Sequence, residues 1–76
     1  MNKTRRAQIE ELKDQLYGLQ NNLEELMNEE QEYLDNMPEN LQNSEKYQLS
    51  EQAVDNLQSA IDNIEEAMDN LTEAIQ

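Results

Sequence analysis

The chain lacks cysteine, histidine, tryptophan and phenylalanine, and it has one glycine and one proline among 76 residues. Without Cys there is no disulfide. Without Cys and His there is no ordinary zinc site, and no thiol or imidazole to serve as nucleophile or general base. A chain this short buries a thin core and commonly leans on a disulfide, a metal or self-association. Here self-association is the staple that remains. No apolar run approaches the roughly 18 residues of a membrane span, and no segment reads as a signal peptide. Basic residues are also scarce, with five Lys and Arg against 18 Asp and Glu and a net charge of -13.

The few cations are clustered. Lys3, Arg5, Arg6 and Lys13 open the chain, and Lys46 is the only one after them. Such a balance repels nucleic acid and anionic membrane and attracts basic protein surfaces. Neither direct nucleic-acid binding nor membrane association is therefore expected, and the lack of Cys fits a reducing cytoplasm.

What the chain does have is periodicity. Asp55-Asn56-Leu57-Gln58-Ser59-Ala60-Ile61 is followed by Asp62-Asn63-Ile64-Glu65-Glu66-Ala67-Met68 and Asp69-Asn70-Leu71-Thr72-Glu73-Ala74-Ile75, one heptad in three copies. Each copy carries two large apolar residues, one Ala and an acidic outer side. That pattern specifies a helix packed closely on another. Counting back gives a positions at Tyr47, Val54, Ile61, Met68 and Ile75, and d positions at Ser50, Leu57, Ile64 and Leu71. Ala53, Ala60, Ala67 and Ala74 fill g.

The first half repeats the spacing. With Ile9 at a, Leu16, Leu23, Glu30 and Met37 are also a, while Leu12, Leu19, Leu26 and Tyr33 are d. Pro38 disfavours helix at the residue before it. The expectation is a helix over about 4–36, a Pro-containing turn over 37–44 capped by Asn36 or Met37 and then by Asn43 or Ser44, and a helix over about 45–75. Leu41 is expected to fold inward and plug the turn. Equal helix lengths make an antiparallel hairpin the economical arrangement.

Antiparallel packing sets a against d. Pairing Ile9 with Leu71 places Leu16 on Ile64, Leu19 on Ile61 and Leu26 on Val54. It then meets the one polar a, Glu30, with the one polar d, Ser50, beside a Tyr33–Tyr47 layer. That polar seam layer reads as a register device, with a ligand or proton-sensitive site as the other reading. On the second helix a, d and g together form an arc too wide for one neighbour. Ala53, Ala60, Ala67 and Ala74, with Met27 and Leu34 at e of the first helix, are the expected oligomer interface. A dimeric four-helix bundle is the expected assembly.

Chemistry has little to work with. Ser44, Ser50 and Ser59 lack an activating base. Paired glutamates lack the Glu-x-x-His spacing of dinuclear helical sites. No enzymatic activity, metal or cofactor is expected. The candidate acidic interaction face is Asp55, Asp62 and Asp69, with Glu65, Glu66 and Glu73. It reads either as a solvated face or as a carboxylate row imitating a phosphate backbone. Lys3, Arg5, Arg6 and Lys46 are the alternative. They could hold a small anion, such as a nucleotide messenger, if an oligomer brought them together. Arg5 and Arg6 also suit the negative end of the second helix's dipole.

Glu29-Glu30-Gln31-Glu32-Tyr33-Leu34 followed by Asp35-Asn36-Met37-Pro38-Glu39-Asn40-Leu41-Gln42-Asn43-Ser44-Glu45 resembles a signature in small acidic helical proteins of Gram-positive phages and integrative mobile elements. The resemblance covers 17 residues closely. It implies a bacterial or phage origin and an intracellular setting. It carries no activity and no site residues. Met37, Pro38 and Leu41 are the apolar contacts that segment offers. The functional expectation is a non-enzymatic acidic protein of such an element, occupying a basic, nucleic-acid-binding surface of a host protein as a DNA-mimic-like inhibitor of host defence. The alternatives are an oligomeric binder that sequesters a small anion and a purely structural or assembly protein.

Overall fold

The computed structural model describes all 76 residues. It is an all-α hairpin of two helices, α1 (Lys3–Asp35) and α2 (Glu45–Ala74), joined by a short connection containing one 3-10 turn, Glu39–Leu41. The helices pack against each other in a rod of 59 × 15 × 13 Å.

Each boundary has a local cause. Asn2 caps α1, its side-chain oxygen accepting the Arg5 N–H at 2.8 Å. At the far end the Asn36 N–H reaches Glu32 O at 3.0 Å and the Met37 N–H reaches Leu34 O at 3.1 Å. The helix ends there because Pro38, with ψ of 146°, turns the chain extended. Pro38 itself stands at the head of the 3-10 turn, with no side-chain cap. Its carbonyl accepts the Leu41 N–H at 2.9 Å. Ser44 caps α2, Oγ accepting the Tyr47 N–H at 3.2 Å. Leu41 does not plug the hairpin. It is 46% exposed, because the turn closes on its own backbone hydrogen bonds and leaves that side chain on the rim.

The seam keeps the expected axial level but not the expected face of α1. The inward residues of α1 are Ile9, Lys13, Leu16, Gln20, Leu23, Met27, Glu30 and Leu34, with Met37 continuing the row just past its end. That row is a with e. The d row is outside, with Leu12, Leu19, Leu26 and Tyr33 between 48% and 54% exposed. Relative to the a/d expectation, α1 is turned by about 50° about its axis, half of the 100° per residue of a helix. On α2 the whole expected set is turned inward, including Tyr47, Ser50, Val54, Leu57, Ile61, Ile64, Met68 and Leu71, with Ala53, Ala60 and Ala67 half-buried.

Gln20 shows the level. Its side-chain amide donates to the Ile61 carbonyl at 3.4 Å and to Glu65 Oε2 at 2.8 Å. The expected partner of Ile61 was Leu19, one residue away. The hydrophobic arc of α1 runs from d through a to e, wider than one neighbour covers. One half must stay open, and the hairpin buries the e half. Leu34 (5% exposed) and Ile61 (5%) are its only buried apolar side chains. Leu34 and Met27, expected at an oligomer interface, thus lie in the intramolecular seam instead.

Candidate interaction surfaces

The turned helix gives the rod two unlike flanks. On one flank, Leu26, Glu29, Glu30 and Tyr33 of α1 line a groove with Ala53 and Leu57 of α2. The heptad repeat continues this flank down the rod. On α1 the row is Leu12, Leu19, Leu26 and Tyr33, and on α2 it is Ala53, Ala60 and Ala67, with Ala74 exposed at the end. Sequence reasoning assigned these leucines to the hairpin core. The e-position row, Lys13-Gln20-Met27-Leu34, was the signal for the other choice. Its two apolar members are closest to the turn, where the chain is held most tightly.

On the other flank, Gln31 and Leu34 of α1 line a narrower groove with Tyr47, Glu51, Val54 and Asp55 of α2. The acidic side of α2 borders it. Asp55, Asp62, Asp69, Glu65, Glu66 and Glu73 are all exposed. Asp55, Asp62 and Asp69 stand at one heptad position, about 10 Å apart by helix rise. Two of the six acids have amide donors, since Gln58 Nε2 donates to Asp62 at 3.0 Å and Gln20 Nε2 to Glu65.

The polar seam layer forms differently from its expectation. Ser50 is buried to 6% exposure, but its Oγ has no hydrogen-bond partner. Glu30 is half-buried in the apolar groove, and Tyr33 is 48% exposed while Tyr47 is half-buried. Glu30 and Ser50 are therefore not bonded to each other. The polar contact that crosses the helices is Gln20, 6% exposed, with Ile61 and Glu65. The sequence hid it, because Gln20 looks like any surface glutamine until the rotation of α1 is known.

At the turn, Tyr33, Asn36, Met37, Pro38, Leu41, Ser44, Glu45 and Lys46 surround an open groove of about 640 Å³. Tyr33 belongs to this groove and to the apolar flank, so the two surfaces are continuous. The cations do not meet within one hairpin. Lys3, Arg5 and Arg6 are exposed at the free end and Lys46 at the turn end. The axial distance between them is about 45 Å at helical rise. No group of three or more carboxylates converges to hold a metal. No helix is long and apolar enough to cross a membrane. No protein-family model, curated protein or solved structure matches the chain.

Proposed function

We propose that this chain is a non-enzymatic interaction protein that pairs with itself and presents an acidic surface to a basic partner. The partner would be the nucleic-acid-binding surface of a host protein, and the setting a phage or mobile element that disarms host defence. The observation that carries this reading is the separation of the two flanks. Uncovered apolar side chains, bordered by Glu29 and Glu30, line one side, and the carboxylate row of α2 lines the other.

Charge density gives the acidic side a scale. Seven acids, Glu51, Asp55, Asp62, Glu65, Glu66, Asp69 and Glu73, lie along one side of α2. They span about 33 Å of helix, or one charge per about 5 Å. Duplex DNA carries one per about 1.7 Å. One hairpin is a sparse imitation; a pair joined through the apolar flank carries a second such row on its far side. Self-association thereby covers the leucines and leaves both acidic rows open. Covering the half-exposed remainder of Leu12, Leu19, Leu26 and Tyr33 would contribute about 1 kcal/mol each.

The test is affinity capture from bacterial lysate at low and high salt, followed by titration of the captured basic protein. Binding should fall steeply as salt rises, compete with duplex DNA, and weaken when Asp55, Asp62 and Asp69 become Asn. Binding that ignores salt and these substitutions refutes the mimic.

A further inference from the structure

The orientation of that pairing is written in the rows beside the groove. We infer that a second copy of this chain covers the Leu12–Leu19–Leu26–Tyr33 flank with its turn pointing the opposite way, so that each copy's cation-bearing free end lies along the other's more acidic turn end. This deepens the self-association proposed above and rests on it.

The apolar row has a charged residue at one end. Arg5 stands at the same heptad position as Leu12, Leu19, Leu26 and Tyr33, and it is exposed. Toward the turn, Glu29 and Glu30 line the same groove between the levels of Leu26 and Tyr33. The row therefore has a cation at its free end and two carboxylates beside its turn half.

The whole rod repeats this polarity. Its free half, residues 1–18 and 62–76, holds four of the five cations and eight of the 18 acids. The turn half, residues 19–61, holds ten acids and only Lys46. Copies with turns together would stack the more acidic halves on each other and set Arg5 against Arg5. Copies with turns apart set the free half, net -4, against the partner's turn half, net -9, with Arg5 and Arg6 near the level of Glu39 of the partner subunit. Like charges repel and opposite charges attract over these distances, so the antiparallel pair has the lower energy. It also matches every member of the row. With the two-fold axis between the levels of Leu19 and Leu26, Leu12 lies at the level of the partner's Tyr33, and Leu19 at that of the partner's Leu26. The Ala row of α2 lets the helix axes approach closely along this flank.

The absence of cysteine makes the arrangement directly testable. Two single variants, Leu12→Cys and Tyr33→Cys, are prepared and oxidised separately and as a mixture. The antiparallel pair predicts a strong Leu12→Cys/Tyr33→Cys cross-link in the mixture. It predicts little cross-linking of either variant with itself, because like positions are about 30 Å apart. Sedimentation of the unmodified 8.9 kDa chain should give twice that mass. Leu19→Asp should weaken association about a hundredfold, since two-fold symmetry counts the substitution twice. Tyr17→Asp, at an exposed position on the opposite side of α1 from Leu19, should leave the mass unchanged. Helicity by circular dichroism confirms that both variants fold.

A monomeric mass overturns the inference together with the self-association beneath it. A dimer in which each cysteine variant links to itself overturns the orientation alone. A dimer indifferent to Leu19→Asp overturns the choice of flank.

Discussion

Replacing Gln20 tests whether the crossing hydrogen bonds stabilise the hairpin or only direct it. Gln20 is almost fully buried, and its amide reaches Glu65 Oε2 at 2.8 Å and the Ile61 carbonyl at 3.4 Å. Gln20→Ala removes both contacts and leaves space. The lost bonds are worth about 1 kcal/mol net, because Glu65 is exposed and regains water. The lost Cγ methylene adds about 0.8 kcal/mol, against a few tenths gained in helix propensity. The expected destabilisation is about 1.5 kcal/mol, or about 6–12 °C in Tm for a domain of this size. Gln20→Leu keeps the volume and strands no polar group. The Ile61 carbonyl still accepts its own helical N–H, and the Glu65 carboxylate is solvated. That variant should match the parent within about 1 kcal/mol or exceed it. A cycle with Glu65→Ala completes the argument, with an expected coupling of about 1 kcal/mol. Urea denaturation followed at 222 nm, at one fixed protein concentration, measures all five proteins. If Gln20→Leu is as damaging as Gln20→Ala, the bonds and not the volume stabilise the hairpin and the expectation is refuted; if the coupling vanishes, the Gln20–Glu65 bond does not hold α1 in its rotation.

Three other substitutions have clear expectations. Gly18 has ordinary helical backbone, and a Cβ built on it meets nothing within 4 Å, so Gly18→Ala should raise stability by about 1 kcal/mol in a thermal melt. Ser50→Ala removes a buried hydroxyl that has no partner and should stabilise by about 1 kcal/mol; a loss of stability in urea would show that the hydroxyl is bonded in solution. Ser44→Ala removes the cap on α2 and should cost about 1 kcal/mol, with hydrogen exchange quickening first at the amides of the opening turn, Tyr47 included.

The elements were legible in the sequence because each has a local signature. Pro38 stops one helix, Ser44 starts the next, and heptads fill the space between. The level at which the helices meet was legible to within one residue, as Gln20 beside Ile61 shows. The rotation of α1 was not. Periodicity reports how wide an apolar arc is, and it does not say which half of that arc the neighbour in the same chain will take. Leu12, Leu19 and Leu26 make the a/d reading the more apolar one, while Leu34 and Met27 draw the helix the other way near the turn. The same ambiguity hid the Gln20 contact and placed Glu30 against Ser50, where no bond forms. The exposed acids were legible by position, since every outer residue of a two-helix rod meets water, whatever its use.

A rod one side chain thick has no centre, and this orders how it closes. Facing residues become more distant in sequence with every step away from the turn: the Ser44 N–H meets the Leu41 carbonyl three residues back, while Gln20 meets Ile61 across 41. Loop entropy therefore favours contacts near Pro38 first, and each closed layer shortens the loop for the next. The chain should zip from the turn outward and fray from the free end inward. Arg5 and Arg6 then sit on the part of the hairpin that opens most often, and a second copy bound as proposed would hold that end shut.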